Sequence, residues 1–315
     1  MILPLAGAAA LLLGQTDAGY VRERTTDHAH CLRWPVTAPA RKTLTFVQSS
    51  QGDPALVALG FDAVSNARQT WEAQSTVCGS LDLVEGAHSS SRFIGYSQSG
   101  SNENLVLFRT QDCGAVVASN DPCHNDGSCG NAHDCWDHGA GTLALTTSTY
   151  TADDGVLVDA DIEINAASAH PTVIDPPAPT CSGGNFSLCI ANDVQNTVTH
   201  EFGHVLGLDH SPDPTSTMYA TEPLGETSKR ILDPGSERFV CEVYPAGLAS
   251  QDCLLSDGGT DPGGAGGGNP SGGGGPNGPG VSTGTTGCSS GPSAAGGLGL
   301  LALVLLPLLA FRRVR

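Results

Sequence analysis

His200-Glu201-Phe202-Gly203-His204-Val205-Leu206-Gly207-Leu208-Asp209-His210 is the stretch whose reading decides this chain. Histidines at i and i+4 share one face of a helix, so His200 and His204 can bind the same metal ion. Glu201 stands beside them, where a carboxylate can take a proton from a water that the metal activates. Gly207 permits the left-handed backbone that ends a helix and turns the chain back, which carries His210 round as a third ligand. Three protein ligands leave a zinc ion open, as in catalytic sites, whereas structural sites are usually closed by four. The short form H-E-x-x-H turns up by accident in many proteins. With Gly207 and His210 added, chance should produce the pattern in roughly one chain of this length in tens of thousands. The bland alternative is a helix that happens to carry three histidines, and it leaves their spacing without a cause.

Extended by Ser211, this motif resembles the zinc helix of the matrixins, a branch of the metzincin zinc proteases. Ser216-Thr217-Met218-Tyr219 then resembles their Met-turn, with Met218 at the matrixin distance beyond His210. The resemblance implies a catalytic zinc on His200, His204 and His210, with Glu201 as general base. It makes Met218 a floor beneath the metal and Tyr219 a pocket wall rather than a catalyst. It also implies an α+β fold. That fold has a mixed, mostly parallel twisted sheet, two long helices, and a small C-terminal subdomain holding the Met-turn and a last helix. The implied activity is zinc-dependent hydrolysis of protein or peptide substrates by an endopeptidase. The likeness is close over the zinc motif and Met-turn, loose over the strands and first helix, and absent over a cysteine-rich insertion. Two departures stand out. Matrixins carry a pair of aspartates on the last helix, one anchoring the mature N-terminus, and this chain has Gly235 and Ser236 near those places. Ala220 stands where matrixins usually have proline.

Composition narrows the partners. The 315 residues carry a formal charge of −18 with only 14 Lys and Arg, which argues against nucleic acid or an anionic membrane surface as a ligand. The acidity suits an extracellular monomer and leaves bound calcium open, although no EF-hand pattern occurs. Eleven cysteines behind an apparent export signal point to disulfides formed in an oxidising compartment.

Residues 1–18 read as a secretory signal peptide, apolar from Ile2 to Leu13 with Thr16-Asp17-Ala18 as the cleavage site. A short N-terminal segment, 19–32, follows. Its Cys31 could cap the zinc as a latency thiolate, but the matrixin switch motif is missing and a disulfide is the better reading. The peptidase domain is expected over 33–255. Thr43–Gln48, Leu81–Val84 and Asn104–Phe108 read as strands. Asp53-Pro54 reads as the start of an amphipathic helix running to about Gln74, its stripe being Val57, Phe61, Val64 and Trp71. Cys113, Cys123, Cys129 and Cys135 fall in the insertion 113–138 with His124, His133 and His138. Two disulfides are favoured there over a second, structural zinc. Val156 to Asn165 alternates apolar and polar as a half-buried strand, read as the edge strand of the sheet. By the resemblance it would hold an extended substrate by β-addition; an ordinary edge strand would look the same. Cys181 and Cys189 pair or brace the loop ahead of the zinc helix, which should start near Asp193. Asp233-Pro234 starts a last helix carrying Phe239, Val240 and Cys241.

Residues 256–286 are Gly/Pro/Ser-rich and read as a flexible spacer. Residues 287–315 combine Gly287-Cys288-Ser289, an apolar run from Leu298 to Phe311 and terminal arginines. That arrangement resembles the myxobacterial C-terminal sorting tail. It implies processing or lipid attachment at Cys288 and an enzyme left at the bacterial cell surface or released, with a plain membrane anchor as the alternative. Without Cys288 ten cysteines remain, enough for five disulfides. Two rival functions are carried forward: a surface adhesin with a structural zinc, and a zinc amidase acting on cell-wall peptides.

Overall fold

The structure is a computed structural model that describes residues 19–182, 184, 186, 188–253 and 280–291. The expected signal peptide, most of the spacer, and the apolar run with its arginines lie outside these residues. Among the described residues no helix is long and apolar enough to cross a membrane.

Six strands make the main sheet: β1 (Lys42–Gln48), β2 (Leu81–Glu85), β3 (Asn104–Arg109), β4 (Ala144–Thr151), β5 (Leu157–Asn165) and β6 (Val281–Thr286). Their spatial order is β6-β4-β5-β3-β1-β2. Strands β2, β1, β3 and β5 run parallel, while β4 is antiparallel to β5 and β6 antiparallel to β4. The parallel strands are joined by crossovers, of which α1 (Ala58–Cys78) is the long helical one. α1 starts later than Asp53-Pro54 suggests: Asp53 accepts from the amides of Ala55, Leu56 and Val57 in a separate turn, and regular helix begins at Ala58.

One face of the sheet is covered by α1 and by α2 (Val194–Val205), the helix with the first two motif histidines. The contacts are large and specific. Phe46 of β1 meets Phe202 edge-on with ring centroids 5.1 Å apart, and the fully buried Trp71 donates from Nε1 to the Thr199 carbonyl at 2.8 Å. α3 (Pro234–Val243) closes the lower part, capped by Asp233 as its sequence suggests.

β5 corrects the reading of the edge. Its apolar residues face the helices, but Asp159, Asp161, Glu163 and Asn165 are buried as well, and β5 lies inside the sheet. The cysteine-rich insertion and the loop before β3 cover that polar face. Gly95 and Leu105 amides donate to Asp161, while Arg109, itself fully buried, binds Glu163 at 2.6 Å and Asp134 of the insertion at 2.7 Å. Alternation alone cannot separate a solvated face from one covered by an insertion, and here Asp161 and Glu163 are held by protein donors from the covering segments and β3. The strand beyond β5 is β4.

Burial holds both carboxyls of the Asp159–Asp161 pair above the usual carboxylate range, Asp159 up to about 6, and the charge of Asp159 raises Asp161 further. A carboxyl with a raised folded-state pKa stabilises the fold below its unfolded value and loses that contribution as pH rises through the folded value. Wild-type stability should therefore fall between about pH 4 and pH 6 from this source. Asp159→Asn gives Asp161 an amide donor in place of the Asp159 carboxylate and removes the charge that raises Asp161. Urea unfolding should find it more stable than wild type at pH 7 by about 1–3 kcal/mol, with the gap closing at pH 4.

Five disulfides form, leaving Cys288 as the free, buried cysteine among the described residues. Cys31 pairs with Cys253, so it holds no metal. Cys78–Cys241 ties the end of α1 to α3, and Cys181–Cys189 closes the loop before α2. In the insertion, Cys113–Cys135 and Cys123–Cys129 are paired. Cys123 and Cys129 lie close to His124, but disulfide sulfurs are not thiolates and do not offer the charge a structural zinc needs.

Candidate metal centre and its cleft

α2 begins where Asp193 accepts from the Asn196 amide at 2.8 Å, and Arg230 grips the same carboxylate through two nitrogens. Its other end is held by buried donors. Trp34 Nε1 donates to the Val205 carbonyl at 2.8 Å and the Tyr244 hydroxyl to the Leu206 carbonyl at 2.6 Å, which satisfies groups that a helix terminus leaves unpaired. The chain then reverses at Gly207, φ +100°. A Cβ there would sit 2.4 Å from the Leu32 carbonyl oxygen, so glycine is required both for the conformation and for the space.

This turn brings the three histidines together. His204 Nε2 lies 3.1 Å from His200 Nε2 and 3.3 Å from His210 Nε2. His200 Nδ1 faces the Thr217 carbonyl and His204 Nδ1 the Leu208 carbonyl, each at 2.8 Å. A carbonyl can only accept, so both Nδ1 atoms carry the proton and both Nε2 atoms present lone pairs to the shared centre. Lone pairs converging at this spacing repel one another unless a cation lies between them. Zinc–nitrogen bonds of about 2.0–2.1 Å at tetrahedral angles put ligand nitrogens roughly 3.3 Å apart, so the donor set fits zinc in chemistry and in spacing. Burial lowers the affinity of all three rings for protons, most for His200 and His204, which keeps them neutral as ligands must be.

Met218 is buried below the centre, and its sulfur sits where a Cβ at position 203 would go, 2.2 Å away. Gly203 therefore lets the turn at Met218 press on α2. Gly203→Ala should cost about 1–3 kcal/mol in thermal or urea unfolding and weaken metal retention on dialysis. Unchanged stability would mean that Met218 can step aside. Tyr219 is half-buried beyond the turn, and its carbonyl accepts from Lys229 Nζ at 2.8 Å.

Glu201 is fully buried beside the histidines, and burial pushes its carboxyl up to about 8. One oxygen accepts from Thr146 Oγ1 of β4 at 2.7 Å. The other accepts from the Cys288 amide at 3.0 Å. Beyond Glu201, Lys229 and Glu222 are buried in a polar pocket. Lys229 donates to the Tyr219 and Thr221 carbonyls, and Glu222 accepts from Thr197 at 3.0 Å. Thr146, Glu222 and Lys229 were not legible as site residues in the sequence, since none belongs to the motif or stands at a telling distance from it. Tyr219 and Met218 were.

The cleft above the histidines has two backbone rims: β4 on one side and Thr221–Glu222 on the other. Both are taken by the chain itself. β6 pairs with β4, and Ser289–Ser290 with Thr221–Glu222. Residues 281–286, expected as the end of the spacer, are therefore a strand in this structure. Threonines and the β-branched Val281 suit a strand, although Gly and Ser around them read as linker composition.

Residues 117–244 match the family model of the matrixins, and the match begins inside the insertion that the motif-level resemblance left out. Matrilysin from Felis catus is 48% identical over 46 residues, 15% of this chain and 18% of that relative. The chain thus matches less than a fifth of the relative's length. Over residues 117–244, which contain the converging histidines, Glu201 and Met218, the chain is matrixin-like, and the similarity supports a metalloprotease.

Proposed function

We propose that this chain is an exported, zinc-dependent endopeptidase of the bacterial cell surface or medium, cutting protein or peptide substrates. The observation that carries the reading is the convergence of His200, His204 and His210 nitrogens next to a buried carboxylate, in a cleft rimmed by a strand that can pair with a peptide. Zinc bound by the three histidines would supply the Lewis acidity that polarises a peptide carbonyl and makes a water nucleophilic.

The remaining roles belong to side chains of this protein. An extended substrate takes the place of β6 on the β4 edge and gains main-chain hydrogen bonds independent of its side chains. Glu201 takes the proton of the attacking water and passes it to the leaving nitrogen. Thr146 holds the carboxylate from the strand on which the substrate lies, so base and substrate are positioned by one element. Lys229 and Glu222, which flank the Cys288 sulfur, would face the side chain that follows the cut bond. Met218 supports the ligands from below. Calcium or a second zinc is not needed for any of these roles.

The test is zinc content and hydrolysis of denatured casein by the purified chain, before and after chelation. One zinc per chain is expected, with cleavage lost on chelation and restored by zinc. Folded, zinc-loaded protein that cuts neither casein nor any bond of its own would overturn the reading. A purely structural zinc, as in an adhesin, would give that outcome.

A further inference from the structure

The segment from Gly280 to Gly291 crosses the centre as an extended peptide and pairs with both rims. β6 runs antiparallel to β4 from Val281↔Thr151 to Thr286↔Thr146. Past the histidines the pairing continues. Leu143 N donates to the Cys288 carbonyl at 2.8 Å, Ser289 N to the Ala220 carbonyl at 3.0 Å, and Ser290 N to the Gly141 carbonyl at 2.8 Å. A single peptide bond lies over the metal centre, the one between Gly287 and Cys288. Its nitrogen faces Glu201 Oε1 at 3.0 Å. On its other side the Gly287 backbone lies within hydrogen-bonding reach of the His210 ring.

Two further observations say that the fit is specific. A Cβ at Gly287 would lie 2.2 Å from the Ala144 carbonyl oxygen and 2.6 Å from Leu145 Cδ2, so only glycine can approach the rim this closely. The next side chain, Cys288, is fully buried in the pocket beyond Glu201, its sulfur 3.9 Å from Lys229 Nζ and 3.9 Å from Glu222 Oε2. The thiol fills that pocket and is not grouped with the three histidines, so what meets the centre is the backbone.

We propose that the Gly287–Cys288 bond is a substrate of this enzyme's own site, cut in cis. The inference rests on the endopeptidase reading above. In the step, a water oxygen bonds to the Gly287 carbonyl carbon and the bond from that carbon to the Cys288 nitrogen breaks. Glu201 carries one water proton to the nitrogen. The products are a chain ending in a Gly287 carboxylate and a peptide beginning with the amine of Cys288; nothing is oxidised or reduced. The cut separates the peptidase from the apolar run at Leu298–Phe311 and frees the far rim of the cleft for other substrates. Because substrate and site share one chain, the reaction is first order.

The experiment uses the full chain as wild type, Glu201→Gln and Gly287→Leu. Mass spectrometry of zinc-loaded wild type should show a fragment beginning at Cys288, formed at a rate unchanged by dilution, and Glu201→Gln should stay whole. A readout that needs no turnover is hydrogen exchange in the metal-free wild type. The Cys288, Ser289 and Ser290 amides should exchange roughly 100-fold more slowly than in a free peptide, and Gly287→Leu should remove this protection. Gly287→Leu should also stay uncut at this bond while still hydrolysing casein. Wild type that cleaves casein yet keeps the Gly287–Cys288 bond intact overturns the inference and leaves the endopeptidase reading standing. Free-peptide exchange in the segment, or a cutting rate proportional to concentration, also overturns it. Failure of zinc-loaded Gly287→Leu to cleave casein counts against the endopeptidase reading itself.

Discussion

Glu201→Gln should slow casein hydrolysis by about 10²–10⁴-fold while the protein keeps its zinc. The size of the effect follows from the arrangement around the carboxylate. Glu201 has no exposed surface, and Thr146 and the Cys288 amide fix both its oxygens. Glutamine keeps the shape and can still accept from Thr146, so the helix and the histidine positions should survive. What it cannot do is take and return a proton. Zinc measured by mass spectrometry should remain at one per chain, and the Tm should change little. The outcome that sinks the role of Glu201 is full activity in this variant; loss of zinc along with activity would assign the residue to the metal's surroundings instead.

Arg109→Met should destabilise the fold by about 3–5 kcal/mol, a Tm lower by roughly 10 °C in a domain of this size. Arg109 is fully buried and joins Glu163 of β5 to Asp134 of the insertion. Burial alone would raise the Glu163 pKa, but hydrogen bonding from His138 and the charge of Arg109 more than offset it and leave the carboxylate ionised. Removing the guanidinium strands that charge in a site with little access to water. The companion measurement is the double variant Arg109→Met/Glu163→Met. It should recover part of the loss, because the cost lies in the uncompensated charge and not in the absence of an attraction. A double variant as unstable as the sum of the two single ones would show that packing, not charge, is what Arg109 provides.

How far the sequence reading reached follows from the range of each interaction. The metal centre was legible because its geometry is local. An i, i+4 pair on a helix, a glycine to end it and a third histidine just beyond the turn need little from the rest of the chain. Caps such as Asp193 and Asp233 are local in the same sense, since each accepts from amides two or three residues on. Met218 was found through its resemblance and distance from the motif. The structure adds the reason it matters there, the absent Cβ of Gly203.

The edge of the sheet, the base's partner and the occupant of the cleft were settled only by tertiary structure. The polar face of β5 looks the same in sequence whether water or an insertion covers it; Arg109 and the loop at Gly95 decide the matter from far along the chain. Thr146, Glu222 and Lys229 reach the site from a strand and from the turns after Met218, and nothing in their own neighbourhoods marks them. Disulfide pairing is likewise a matter of distance in space: ten cysteines allowed five bonds, and the fold chose among the many pairings. Most plainly, the strand at 281–286, Ser, Thr and Gly after a single Val281, has no apolar pattern to announce it. Its backbone finds partners in the open rim of β4, and such main-chain pairing is a property of the edge that receives the strand and not of the side chains that arrive.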